Sequence, residues 1–235
     1  MLLQVAKLTS GYGRTPILNG IDFQAKRGEV LAIIGRNGVG KTTLMKALIG
    51  LLPAMSGAIE LDGEAMTSLA AARRARHGIG YVPQGRGIFG RMTVSENLTA
   101  GETIGSAAGS AGANYERVFR FFPRLRERLS QKAGTMSGGE QQQLAIGRVL
   151  IGAPKLILLD EPSEGIQPNI IQDIGRIIVR LSAEEKLTVV IVEQNLELIE
   201  ATADRCLVMD KGAIIAEIEP GALKDPQIAK KYLAI

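Results

Sequence analysis

The run Val30-Leu31-Ala32-Ile33-Ile34 passes without a break into Gly35-Arg36-Asn37-Gly38-Val39-Gly40-Lys41-Thr42-Thr43. Five successive apolar residues read as a strand buried on both faces, which a parallel sheet covered on either side by helices requires. The glycines then let the backbone curl around an anion, and residues 42–52 continue as a helix. A strand, a glycine turn and a helix in that order constrain the chain to an α/β fold that holds phosphate at a helix N-terminus. Lys41 supplies a point charge toward the outer phosphates of a nucleotide, and the Thr42 hydroxyl is placed to ligate Mg²⁺. Gly35, Asn37, Gly38, Val39, Gly40, Lys41, Thr42 and Thr43 are therefore the candidates for phosphate binding, and together they match the Walker A pattern.

Further short apolar runs at 79–82, 156–160, 188–192 and 206–209 supply the remaining strands of a mostly parallel sheet. The first part of the chain differs. LLQVAKL, ILNGIDFQA and GAIELDG read as strands joined by turns, an antiparallel side sheet. Between 85 and 155 helical patterns replace strand patterns, notably over 114–129, which predicts a helical insert between two core strands. Within it, residues 101–113 (GETIGSAAGSAGA) are small and of low complexity and read as a loop. A short helix is expected near 226–233. The organisation expected is one domain over 1–235, with core and side sheet in 1–84 and 156–235 and a helical subdomain at about 85–155.

Composition narrows the function. Apolar residues at 46% and charged residues at 22% describe a globular chain rather than a disordered one. A net charge of +4 suits phosphate-bearing ligands or an anionic membrane surface. Aromatic residues at 4%, with no Trp, argue against a stacking platform for single-stranded nucleic acid. Cys206 is the one cysteine, so no intrachain disulfide forms; within RCLVMD it reads as a small core residue. No signal peptide is expected at the N-terminus, and no apolar run reaches the length of a spanning helix. Work at a membrane would need a span from another chain.

Three more clusters bear on chemistry. In LILLDEP, Asp160 ends an apolar strand and fits a Walker B carboxylate holding the Mg²⁺ shell, while Glu161 beside it could polarise an attacking water. Alone, the pair would read as an acidic strand end; the phosphate loop upstream favours the catalytic reading. In Met136-Ser137-Gly138-Gly139-Glu140, Ser137 and Glu140 form a capping box. The same hydroxyl and glycine amides make a ready γ-phosphate site, and the box gives no reason for two successive glycines. In LTVVIVEQN a buried strand delivers Glu193, Gln194 and Asn195 to one point.

Together these motifs resemble the ATP-binding subunits of ABC transporters, over essentially the whole chain. The resemblance implies a P-loop NTPase core, with ATP and Mg²⁺ bound between two such subunits. Ser137, Gly138 and Gly139 would then face the partner's ATP. Tyr12 in SGYG, 23 residues before Gly35, is similar to the family's adenine-stacking aromatic. Gln84 in YVPQ resembles the Q-loop glutamine, which joins Thr42 and Asp160 around Mg²⁺ and moves with the membrane subunit. Gln194 stands where most members carry a histidine that contacts the γ-phosphate, which makes it a third catalytic candidate with Glu161 and Lys41. It is expected to donate to the γ-phosphate of the chain's own ATP. Met136 and Glu140 replace the usual Leu and Gln, and Gln167 takes the usual D-loop aspartate position. His77, the one histidine, reads as a surface helix end.

GYVPQGRGIFGRMTVSENL and DEPSEGIQPNII look like the uptake branch for branched-chain amino acids, urea and short amides, with EGIQP closest to its urea-type members. The implied function is the ATP-hydrolysing motor of an importer, peripheral on the cytoplasmic face of the inner membrane. Its implied partners are a second ATP-binding subunit (a copy or a paralogue), integral membrane permeases and, indirectly, a periplasmic solute-binding protein. A nucleic-acid-associated ATPase is the alternative. Only 75 residues lie between Gln84 and Asp160, too few for the long coiled-coil insert of repair members. In RVFRFFPRLRERL, Phe119, Phe122, Leu125 and Leu129 fall near helical spacing, which predicts a core-facing stripe with solvated arginines rather than a nucleic-acid face. No N-K-x-D guanine-reading motif occurs. A regulatory binder that holds ATP without hydrolysis stays open through Gln167 and Gln194.

Overall fold

The computed structural model describes residues 1–102 and 111–233. Strands β1 (Leu3–Tyr12) and β2 (Thr15–Ala25) form a hairpin, β3 (Val30–Ile34) leaves it for the centre of the molecule, and α1 (Lys41–Ile49) follows. The chain then returns: β4 (Ala54–Leu61) pairs with β1 and with the short β5 (Glu64–Ala65), completing an antiparallel sheet of order β2-β1-β4-β5. Helix α2 (Ala71–Arg76) leads to β6 (Ile79–Val82). Among the described residues four α-helices come next, α3 (Val94–Glu102), α4 (Ala111–Phe121), α5 (Pro123–Glu127) and α6 (Gly138–Ile151). The last part alternates β7 (Leu156–Asp160), α7 (Pro168–Glu185), β8 (Thr188–Val192), α8 (Leu196–Thr202), β9 (Arg205–Asp210), β10 (Ala213–Ile218) and α9 (Pro226–Leu233).

The central sheet runs β10-β9-β3-β8-β7-β6, parallel throughout except for the β9–β10 edge pair. Every residue of β3, β7 and β8 is buried, so these strands carry no polar face. Their side chains alternate between two cores. Val30, Ala32 and Ile34 join Ile157, Leu159, Val189 and Ile191 on one face, against α3–α8. Leu31 and Ile33 join Leu158, Val190 and Val192 on the other, against α1 and the antiparallel sheet. Helix-covered faces and fully apolar strands are two views of one requirement.

The strands expected at 30–34, 79–82, 156–160 and 188–192 occur with those bounds, and 206–209 lies inside β9. Helix α1 stops three residues earlier than expected. Gly50 takes φ 87° and returns its amide to Lys46 and Ala47, a left-handed stop that glycine adopts cheaply. The helix expected over 114–129 is two helices. Pro123 has no N–H and restricts Phe122 to φ −129° and ψ 67°, which breaks the run. The loop expected over 101–113 lies at 103–110 outside the described residues; its flanks at 101–102 and 111–113 are helical.

The arginine-rich stretch turns a buried stripe inward, with Val118, Phe121, Phe122 and Leu125 no more than 3% exposed and Phe119 and Leu129 packed against them. Arg117 and Arg120 pair with Glu185, Arg126 with Glu116 and Arg128 with Glu140. Partly exposed pairs of this kind contribute about 0–1 kcal/mol each, against roughly 1.5–3 kcal/mol for each buried Leu or Phe. The apolar stripe therefore sets the orientation, and four of the stretch's five guanidiniums pair with this chain's own carboxylates. His77 caps α2 at the surface and meets Glu64 at 2.8 Å. Among the described residues no helix is long and apolar enough to cross a membrane.

One buried charge holds α1 to α2. Arg74, 1% exposed, donates to the carbonyls of Ala47 (2.8 Å), Leu48 (2.9 Å), Leu69 (2.9 Å) and Thr67 (2.9 Å). Two of these carbonyls, Ala47 and Leu48, lie in the last turn of α1, the helix that begins at the phosphate loop, and Ala47 also accepts from the Gly50 N–H. Arg74→Met withdraws the guanidinium from the Leu48, Leu69 and Thr67 carbonyls, leaving Ala47 the Gly50 N–H, and is expected to cost on the order of 3 kcal/mol in urea denaturation. Arg74→Lys, with a single point of donation, should recover only part of that loss.

Candidate nucleotide site

Parallel strands place their C-terminal ends on one edge of a sheet, and the motif residues sit there. Ile33 of β3 is level with Val192 of β8, and Val192 with Asp160 of β7. From β3 the chain turns at Gly35, where a Cβ would stand 2.3 Å from the Met209 carbonyl oxygen. No side chain fits there. Gly40 is the N-cap of α1 and brings no side-chain cap, so the amides at the head of that helix stay open to an anion. Val39 turns its side chain into the core, so only its backbone can serve a ligand.

Lys41 is 4% exposed; its Nζ donates to the carbonyls of Gly35 (2.7 Å) and Arg36 (3.0 Å) and lies 3.6 Å from Glu161 Oε1. Burial pulls the ammonium below the ordinary lysine range, and the carboxylates of Glu161, Glu193 and Asp160 oppose that shift. Asp160, 1% exposed, accepts from Thr42 Oγ1 (3.1 Å) on one oxygen and from Tyr81 Oη (3.0 Å) on the other. Burial raises its carboxyl above the usual range while the two hydrogen bonds draw it back. The Tyr81 phenol is raised by the same burial and by the Asp160 charge, so it remains a donor.

Glu161 lies one residue beyond β7 with φ 47°, a left-handed conformation costing a non-glycine residue roughly 1–2 kcal/mol. Its N–H donates to the Val192 carbonyl at 2.9 Å. Its carboxylate accepts from Gln194 Nε2 at 2.7 Å and Gln84 Nε2 at 3.4 Å. Gln194 Nε2 also donates to Asn37 Oδ1 at 2.7 Å. Because a carboxylate can only accept, the Gln194 amide is fixed with its NH₂ toward Glu161. It offers two hydrogens there at once. A neutral imidazole offers one, and gains the second only by protonation.

Tyr12, Asn37, Gly38, Gly40, Lys41, Thr42, Thr43, Gln84 and Glu161 line one cleft of about 330 Å³. Tyr12 is half exposed at its mouth, with Lys46 Nζ 5.9 Å from the ring centre. Ser137, Gly138 and Gly139 do not line this cleft. Ser137 caps α6 through both halves of the capping box. The two glycines have a packing reason that the sequence did not disclose. A Cβ on Gly139 would stand 2.3 Å from Ile170 Cγ2, and one on Gly138 would stand 3.0 Å from Arg86 Nη2 and 3.2 Å from the Gly165 carbonyl oxygen. Gln167 is the exposed N-cap of α7 and makes no cap hydrogen bond with its side chain.

Sequence reasoning passed over two residues here and gave a third, Glu193, a place but no role. Tyr81 precedes the recognised Gln84 and reads as one more strand aromatic. Arg86 donates to Gln141 Oε1 (3.2 Å) and to the Glu164 carbonyl (3.1 Å), joining the segment after β6 to α6 and to the loop after Glu161. Glu193 is 2% exposed and accepts three backbone N–H groups. Its position after five buried strand residues was read from the sequence; its three backbone donors were not.

A family model described as ABC transporter matches residues 18–164. The chain is 42% identical over 233 residues to the high-affinity branched-chain amino acid transport ATP-binding protein BraG of Pseudomonas aeruginosa, across 99% of both chains. It is 35% identical to the probable branched-chain amino acid transport ATP-binding protein LivF of Archaeoglobus fulgidus, over 91% of this chain and 90% of that one. Among solved structures, a nucleotide-free ATP-binding cassette from an ABC transporter superposes with a TM-score of 0.85 at 28% identity, covering 97% of each chain. The ADP conformation of the cassette MJ1267 gives 0.84 at 29% identity over the same shares. A phosphate loop, its buried carboxylate and a held glutamate on one sheet edge agree with these likenesses: the chain belongs to the ABC transporter family, as an ATP-binding subunit of the ATPase type.

Proposed function

We propose that this chain hydrolyses ATP at the cleft beside Glu161 to drive an importer for small polar solutes. The observation that carries the reading is the Glu161 carboxylate, held by Gln194 and Gln84 at a cleft lined also by Lys41 and Thr42. Water attacks the γ-phosphorus in line, its proton passes to Glu161, and the bond to the β–γ bridging oxygen breaks to release ADP and phosphate. Lys41 leaves its carbonyl partners for the β- and γ-phosphate oxygens. Gln194 keeps the Glu161 carboxylate aimed and donates to the terminal phosphate. Tyr12 stacks on the adenine.

The pair Thr42 Oγ1 and Asp160 Oδ1, 3.1 Å apart, suits Mg²⁺, a hard ion that takes few protein oxygens and completes its shell with phosphate and water. Thr42 and Asp160 would hold the ion, and its charge would offset the negative charge that develops on the outer phosphates. Gln84 lies close enough to Glu161 to reach that shell.

Ser137, Gly138 and Gly139 lie outside their own chain's cleft, which supports the reading that they close on the ATP of a second ATP-binding subunit, a copy or a paralogue. The Ser137 hydroxyl, which now donates to Glu140 Oε2 at 2.9 Å, would turn to that phosphate. Residues 85–155 act as a helical subdomain on the 1–84 and 156–235 core. A mostly apolar groove of about 540 Å³ runs between α2, β6, α3 and α6, with Leu51, Phe89 and Arg148 on its walls. Arg148 donates to the Gly87 carbonyl at 2.8 Å and stacks 5.0 Å from the Phe89 ring, so the groove wall continues directly into the Gln84 segment. That continuity supports a short helix of a membrane permease as its occupant, with the subunit peripheral on the cytoplasmic face of the inner membrane. A periplasmic binding protein would deliver the solute. The full-length likeness to BraG favours branched-chain amino acids, and EGIQP keeps urea and short amides in the same solute class.

Lys41→Ala is expected to abolish tight ATP binding, whereas Glu161→Gln keeps binding and lowers turnover by ~10²–10⁴. Nucleotide affinity and steady-state hydrolysis on both variants check this, and full turnover in Glu161→Gln would remove the catalytic assignment.

Gln194→Ala removes a charge-assisted hydrogen bond and should slow hydrolysis about 10–100-fold while ATP affinity changes little. Gln194→His should retain activity and acquire a pH dependence between about 6 and 8 that the wild type lacks. Rates measured across pH with the partner subunits assembled decide both points.

Single cysteines placed over residues 86–98 should cross-link to a permease in native membranes. Cys206 can stay in place, because burial pushes its thiol up to about 12 and leaves it unreactive. Capture of ribosomes or DNA, with no membrane protein, would reverse the partner assignment.

A further inference from the structure

Glu193 is a charged side chain buried where a strand ends, and neither lysine nor arginine pairs with it among the described residues. What it holds is backbone. Oε1 accepts from the N–H groups of Gln194 (2.7 Å) and Asn195 (3.0 Å), and Oε2 accepts from Ser163 (3.1 Å). The first two are its immediate neighbours and by themselves would make an ordinary turn at the head of α8. The third lies 30 residues away, in the loop that follows Glu161.

That distant contact bears on the strained residue of the site. Glu161, at φ 47°, is tied to the end of β8 on both sides: its own N–H reaches the Val192 carbonyl, and Ser163 reaches the Glu193 carboxylate. A left-handed glutamate persists only where its surroundings over-determine it. The same carboxylate also fixes the backbone of Gln194, whose side chain donates to Glu161 Oε1. One buried group thus sets both the backbone that presents the Glu161 carboxylate and the backbone of the amide that aims it.

Resting on the ATPase reading above, we propose that Glu193 is a positioning residue for hydrolysis, a tether that locks the Glu161 loop to the Gln194 turn. Buried, with its carboxylate taken up by three backbone N–H groups, it acts through Glu161. The acceptor count makes the tether specific to a carboxylate. A glutamine has one oxygen for three N–H groups, so its NH₂ must turn toward at least one of them. Keeping the oxygen on the adjacent pair satisfies two donors, and Ser163 is the one released.

The test uses the full chain with MgATP. In Glu193→Gln, kcat should fall at least tenfold while KM and ATP affinity stay within threefold. Placed on Glu161→Gln, the same change should slow single-turnover hydrolysis by less than twofold, because the group it positions is already gone. An equal loss in both backgrounds would mean a general structural role and overturn the proposal, as would undiminished kcat. Amide hydrogen exchange gives a readout independent of turnover: Ser163 should exchange at least tenfold faster in Glu193→Gln, and unchanged protection there also overturns it. Glu193→Asp keeps the charge but withdraws the oxygens, and should show the same kcat-selective loss if the glutamine variant folds poorly. Failure of the ATPase reading is visible separately, as wild-type protein that binds ATP and does not hydrolyse it.

Discussion

Strands β3, β7 and β8 are buried along their whole length, and the rest of the molecule follows from that constraint. A strand with helices on one face and a helix with a second sheet on the other carries polar side chains only at its ends, where hydrogen bonds can satisfy them, as they do for Thr188 at the start of β8 and Asp160 at the end of β7. Polar chemistry is therefore displaced to the strand ends. Parallel pairing in register puts those ends on one edge: Gly35 after Ile34, Glu161 after Asp160, Glu193 and Gln194 after Val192. The cleft is what remains at that edge once α1 turns away from it.

Burying charge at such an edge is costly unless each group finds partners, and here the partners are neighbouring side chains and carbonyls of the same edge. Asp160 is held by a threonine and a tyrosine, Glu161 by two glutamines, and Lys41 by loop carbonyls, each arrangement leaving groups that nucleotide or metal can take over. The network is uncharged where the family commonly places histidine. Gln194 serves two acceptors without a proton to gain or lose, which uncouples the aim of Glu161 from pH near neutrality.

The segment that joins the groove to the cleft is short. Gln84 touches Glu161, Arg86 reaches the Glu164 carbonyl and α6, and Phe89 lies under Arg148 on the groove wall. A displacement of residues 84–89 by an occupant of the groove thus has a direct hydrogen-bonded route to the Glu161 loop. Glu193 grips that loop from the opposite side.

Local order alone determined the phosphate loop and the central strands, because a fully apolar five-residue run followed by a glycine turn has few other uses. The strand that ends in Asp160 and the last helix at 226–233 were legible from local pattern as well. Tertiary structure decided what depends on residues distant in sequence. Gly139 leaves room for Ile170 and Gly138 lies in tight contact with Arg86 and the Gly165 carbonyl, neighbours that arrive from elsewhere and that no capping rule contains. Arg74 reads as one of several helix arginines until its four carbonyl acceptors converge on it. The partners of Gln194 and Glu193, Asn37 and Ser163 among them, lie 157 and 30 residues away. Sequence pattern encodes burial and periodicity because these are properties of neighbours a few residues apart. Which donor meets which acceptor across the sheet edge is settled only when the strands are in register, and that register is a product of the whole core.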